Sequence, residues 1–217
     1  MEILPLLLMR FFVLTVSLSF HEAAHAWTAN RLGDDTAKRL GRVSLNPLVH
    51  LEFLGSLMML TGMPLGWAKP VPINPSKLRN SRSALPLISF AGPLSNLVLA
   101  ILGCQVYFFI GYGLGGSGWY TLLEDFILIN FSLAIFNLLP VFPLDGSKFI
   151  TTFMSDRVAD IYEDKMARLG MYPLIAIIIF ESMGNRHGLI SLWFTIWKPL
   201  IYPILAIFHV PFSFYPG

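Results

Sequence analysis

Charge is what this chain has least of. Only 13% of its 217 residues are Asp, Glu, Lys or Arg, about half the roughly 25% of an ordinary soluble domain. Hydrophobic residues make up 55%, and the mean hydropathy is +0.64. A chain so poor in charge cannot clothe a globule of this size in polar surface, which excludes an ordinary soluble domain and leaves an integral membrane protein. The net charge of +2, with no basic stripe or low-complexity tail, leaves nothing for nucleic acid to bind. Cysteine is nearly missing as well. Cys104 stands alone in an apolar run, so the chain can build neither an internal disulfide nor a thiolate zinc site.

What the chain does have is long apolar runs. A helix needs about 20 residues to cross a hydrocarbon core, and runs of that order occupy 3–29, 85–112, 120–144 and 169–210, the last interrupted by a polar turn. The pattern predicts an all-α polytopic membrane protein with about five transmembrane helical segments in a single domain, 1–217. An apolar start followed by Ala24-His25-Ala26 imitates a signal peptide with its cleavage site. Glu2 where a cation is expected, and Arg10 inside the run, argue against cleavage.

Lys and Arg gather at 31–42, 69–82 and 148–168, and the positive-inside rule puts these clusters on the cytoplasmic side. The Gly-rich link 111–118, without Lys or Arg, belongs on the other. Residues 43–66 lie between two clusters that share a side and are broken by Pro47, Gly55, Gly62 and Pro64. They predict a re-entrant or β-hairpin-like insertion between the first and second spans. Prolines at 70, 72 and 75 then enforce an extended, edge-like chain.

Chemistry enters with "SFHEAAHAW", residues 19–27, at the inward end of the first span. His21 and His25, four apart on a helix, project from one face and can grip one metal ion; Glu22 lies beside them as a base. Ionisable groups inside a span are costly and usually mark a site. A catalytic zinc site needs a third protein ligand, and the candidates are Asp34, Asp35, His50, Glu52 and Asp145. Asp34 and Asp35 fall past the helix end among basic residues and read as solvated. Asp145, in "NLLPVFPLDG" at the inward end of the third span, matches the depth of the histidines, and Pro140 and Pro143 free the chain to turn there. His50 and Glu52 are the second choice, with His50 alternatively satisfying a backbone carbonyl. Asn137, just above the break, has an amide that can donate to a substrate carbonyl or developing oxyanion, or simply pack. Ser95, Asn96 and Asn130 read as hydrogen-bonding glue between helices.

Taken together and in order, "FHEAAHA", "GDDTAKRLGRVSLNPLVHLE", "GWAKPVPINP", "SFAGPLSN" and "NLLPVFPLDG" resemble the site-2 protease family of intramembrane zinc metalloproteases, most closely its short bacterial branch without PDZ or CBS domains. The resemblance runs over about residues 16–150. It implies one Zn2+ per chain held by His21, His25 and Asp145, Glu22 as general base and acid, and a substrate-contacting Asn137. It also implies an extended edge near 66–75 on which an unwound substrate pairs, hydrolysis of peptide bonds in transmembrane protein or peptide substrates, and a multi-pass position in the bacterial cytoplasmic membrane with the active site toward the cytoplasm. On this reading the catalytic core is about 1–155, and 169–210 are accessory helices in contact with the lipid bilayer. The alternative is a non-proteolytic membrane zinc-binding or metal-transport protein, which has no need of Glu22 beside the ligand pair.

Overall fold

In a computed structural model, which describes residues 3–52, 55, 68–110, 118–182 and 189–210, the chain is built of helices, with no strand among the described residues. Helix α1, Ile3–Arg31, runs 29 residues with its one proline, Pro5, in the first turn, where a missing N–H costs nothing. At 1.5 Å per residue it is about 43 Å long. It stops two residues before Gly33, whose φ of +112° lies in the region that side chains avoid.

Helix α2, Ser81–Ile110, and helix α3, Gly118–Asn137, complete a trio long and apolar enough to cross a membrane. The middle helix, α2, packs against both of the others. It carries Pro86 and Pro93 in its interior, both buried, which is tolerable where neighbouring helices re-satisfy freed backbone groups. Between α2 and α3 lies an apolar core of Ala100, Cys104, Tyr107, Ile127, Phe131 and Ile135. On its rim Arg10 of α1 grips Asp125 of α3 through two nitrogens, at 3.1 and 3.3 Å.

The third span was expected to reach residue 144, and it ends at Asn137. Proline lacks an N–H and clashes with the preceding turn, so Pro140 and Pro143 convert the remainder into a loop. That loop leads into a short helix, Gly146–Phe149. A polar helix α4, Asp156–Leu169, follows, then the apolar helices α5, Tyr172–Ser182, and α6, Leu189–Ile207. Leu174 of α5 packs with Leu139 and Leu144 of the loop, and Ile201 and Leu205 of α6 join the α2–α3 core.

Of the about five spans expected, three helices reach spanning length and composition among the described residues; α5, with 11 residues, is shorter than the about 20 required. The start of the expected insertion, 43–52, holds a single 3-10 turn at Pro47–Val49. Residues 53–54 and 56–67, where the re-entrant hairpin was expected, lie outside the described residues. The proline-spaced stretch 68–74 has no helical turn.

Candidate metal centre

Three polar side chains meet where α1 passes the proline-broken loop. His21 and His25 are 4% and 7% exposed, and their rings stand edge to face with centroids 4.6 Å apart. Both turn Nε2 toward one oxygen of Asp145, at 3.0 Å from His21 and 3.3 Å from His25. One ligand atom from each of the three lies within 4.8 Å of the others, the one such group among the described residues. Asp145 reaches them because the loop turns back sharply. A Cβ on the next residue, Gly146, would stand 2.2 Å from Leu138 O, so only glycine fits that turn.

The opposite edges of both imidazoles are held. Asn96, fully buried on α2, donates its Nδ2 to Ser17 O at 3.2 Å and to Asn130 Oδ1 at 2.9 Å. Its Oδ1 is therefore the atom 2.6 Å from His21 Nδ1, and it can only accept. Asn130 closes the network by donating to Ser17 Oγ at 2.9 Å and Phe126 O at 2.8 Å. His25 Nδ1 donates to Ile88 O at 2.6 Å, likewise an obligate acceptor. Each imidazole, in its neutral form, thus carries its proton on Nδ1 and offers Nε2 as a lone pair.

With both imidazoles neutral, two nitrogen lone pairs and a carboxylate oxygen face one another at 3.0–3.3 Å, an arrangement that a proton or a metal cation among them stabilises. A tetrahedral ion with bonds of about 2.0–2.1 Å separates its donors by about 3.3–3.5 Å, close to both spacings. Space is kept there too. A Cβ on Gly92 of α2 would come 2.6 Å from His21 Nε2 and 2.4 Å from His25 Nε2. The donor set, its spacing and the glycine opposite all fit a metal ion.

Glu22, next to His21 on α1, is half-buried, and its Oε2 accepts the backbone N–H of Val71 at 3.0 Å. The extended stretch is pinned on either side of that contact. Lys69 N donates to His50 O at 2.8 Å, and Asn74 N donates to Asp34 Oδ2 at 2.6 Å.

The other candidates do not meet the histidines. His50, 2% exposed, donates Nε2 to Ser44 O at 2.8 Å, leaving Nδ1 to accept from Arg42, whose guanidinium also reaches Lys69 O. Glu52 accepts Gly55 N at 2.7 Å. Asn137 donates to Leu133 O, one turn back, at 3.0 Å. Asp35 is ion-paired on the surface with Arg39 and Lys77, as its neighbours in sequence suggested. Asp34 is a correction: expected to be solvated, it is fully buried, and it accepts Thr36 N as well as Asn74 N. Burial pushes its carboxyl up, but the hydrogen bonds from Thr36 and Asn74 and the charge of Lys77 outweigh that and hold it below the ordinary aspartate value. Its bond from Thr36 N, two residues on, is an Asx turn, for which Asp is a favoured residue.

On another side of the same turns of α1 lies an open apolar groove of about 370 Å3, where Phe20, Ala23, Ala24 and Trp27 face Val43, Leu45 and Ser95.

Comparison with known proteins converges on one group. The pattern of "Peptidase family M50" matches residues 113–180, a stretch that includes Asn137 and Asp145. Among curated proteins, "Putative zinc metalloprotease YwhC" of Bacillus subtilis is 36% identical, covering 91% of this chain and 97% of its own length. "Zinc metalloprotease MJ0392" of Methanocaldococcus jannaschii is 26% identical over 83% of this chain and 44% of its own length. "Putative zinc metalloprotease Rip2" of Mycolicibacterium smegmatis is 29% identical over 60% of this chain and 51% of its own. No solved structure matches.

Proposed function

The chain belongs to peptidase family M50, the site-2 protease family, and from that premise we propose that it is a zinc metalloendopeptidase that cuts peptide bonds within or near the transmembrane segments of other membrane proteins. The observation that carries this reading is the convergence of His21 Nε2, His25 Nε2 and Asp145 on one point beside Glu22.

His21, His25 and Asp145 hold the zinc. Bound there, zinc supplies a water of near-neutral pKa and a Lewis acid for the scissile carbonyl. Glu22 takes a proton from the attacking water and returns it to the departing amine. Its Oε2 is steadied by Val71 N–H, so its second oxygen can serve the water. The stretch 68–74 offers an extended edge along which an unwound substrate pairs as a strand. Asn137, with one N–H used on Leu133 O, keeps its second N–H for the substrate carbonyl.

The basic clusters support a site toward the cytoplasmic face of a multi-pass bacterial membrane protein. Regulated proteolysis of membrane-bound factors is the role that fits. A transporter would want ligands strung along its spans; the described residues hold one fixed group, next to a base.

Glu22→Gln tests the chemistry, because the amide keeps the shape and an oxygen for Val71 N–H while losing the base. Incubated in detergent with a panel of single-span substrates, the variant should retain one zinc per chain and lose at least about 100-fold in cleavage, the range of general acid–base catalysis. Equal cleavage by parent and variant would remove Glu22 from the mechanism; absence of zinc from the purified parent would remove the metal.

A further inference from the structure

Half the residues of α4, DRVADIYEDKMARL, are charged, so it cannot enter hydrocarbon as its neighbours do. Its charges are sorted by face. Asp156, Asp160 and Glu163, spaced four and three apart, share one side of the helix, and all three turn to cations of the bundle. Arg82 Nε lies 2.9 Å from Asp156 and its NH1 3.5 Å from Asp160, while Lys148 Nζ lies 3.4 Å from Glu163. On the adjoining flank Ala159 is buried and Tyr162 Oη donates to Pro140 O at 2.9 Å.

The opposite side is poor in acid, with Asp164 at its edge paired to Arg168. It presents Arg157, Val158, Ile161, Lys165, Arg168 and Leu169, all exposed. Three of these are large aliphatic residues, 47–51% exposed. Arg157 and Lys165 have no ion-pair partner among the described residues. Phe153, 70% exposed, precedes this face, and Met171 and Tyr172, 54% and 77% exposed, carry it into the first turn of apolar α5.

We propose that this face of α4 docks on the anionic headgroups of the cytoplasmic leaflet. A helix of low hydrophobicity whose exposed side mixes cations with aliphatic and aromatic residues lies in the interface plane, its apolar groups at the acyl boundary and its cations among phosphates. Charge complementarity selects the occupant: Asp156, Asp160 and Glu163 lie on the other side of the helix, paired with Arg82 and Lys148, and Asp164 is paired with Arg168 at 3.0 Å. Continuity supports it, since α5 begins only two residues after Gly170 and delivers α4 to the membrane surface. The proposal rests on the chain being membrane-embedded and not on its protease chemistry. It has a consequence for the centre. Tyr162 and Glu163 clip α4 to Pro140 and Lys148, on either side of Asp145, so anionic lipid steadies the loop that presents the third ligand.

Hydrogen exchange on the full chain in nanodiscs tests this. Amides of 156–169 should exchange several-fold more slowly in discs containing phosphatidylglycerol than in phosphatidylcholine alone, and the difference should shrink in high salt. Arg157→Gln combined with Lys165→Gln should abolish most of the difference while α2 amides, a control for folding, stay unchanged. Equal exchange in the two lipids, or a difference that survives the double variant, would overturn the proposal. So would protection that follows the number of protein copies per disc instead of lipid charge, which would point to a second chain on this face.

Discussion

Asn96 shows how much of the proposed metal centre would be decided by a residue that never touches the metal. Its carbonyl oxygen meets His21 Nδ1, while its two N–H groups are spent on α1 and α3, so the amide cannot flip and the imidazole cannot change tautomer. Partners of this kind typically contribute 10–100-fold in metal affinity. Asn96→Leu should therefore weaken zinc binding by about 10–100-fold in chelator competition, whereas Asn96→Asp, which keeps an acceptor in place, should stay closer to the parent. Unchanged affinity in Asn96→Leu would show that His21 needs no such partner. The sequence alone made Asn96 helix-to-helix glue, and toward Ser17 and Asn130 it is that. Its contact with a histidine 75 residues away has no local signature. His21 and His25 were legible because a spacing of four maps onto one helix face whatever the rest of the chain does. Asp145 could be ranked first by depth alone, and depth says nothing of the side-chain direction that the loop at Gly146 imposes.

The extended stretch 68–74 is held by backbone groups, and backbone groups carry no residue code. Proline spacing foretold its conformation, but neither the N–H of Val71 reaching Glu22 nor the burial of Asp34 beneath Asn74 could be read from it. The prolines also supply a sharp experiment. Positions 70 and 72 are already proline, which biases the chain at 71 toward the β/PPII region that a third proline can enter, and Val71→Pro deletes its N–H. The prediction is a fall of about 10-fold or more in kcat at nearly constant KM, with zinc retained, from the loss of one positioned hydrogen bond worth about 1.5–3 kcal/mol to a charged group. Val71→Ala, which keeps the N–H, should behave as the parent. A rise in KM alone would assign Val71 to substrate binding and not to Glu22.

Across the whole molecule, the two halves of the centre lie 124 residues apart in sequence, and α2 packs against it with Gly92 at the imidazoles. The three long spans were legible because apolar length is additive along a chain. The division of 169–210 into two helices was legible as well, from the polar turn in the run; that α5 has only 11 helical residues was not. What α5 contributes is Leu174 against the loop of Asp145, a brace and not a ligand. A metal that joins α1 to this braced loop is linked to the stability of the fold. Free zinc at 100 times its Kd adds about 2.7 kcal/mol, and at about 2–4 °C per kcal/mol for a chain of this size that is about 5–10 °C in Tm. Chelation of the parent should lower Tm by that amount, and Asp145→Ala should show almost no further fall on chelation. Glu52→Ala should still show it, because Glu52 caps Gly55 N and meets neither histidine. If instead Glu52→Ala lost both zinc and the chelation-sensitive step while Asp145→Ala kept them, the third ligand would lie in the segment after His50, and the loop braced by α5 would be structural only.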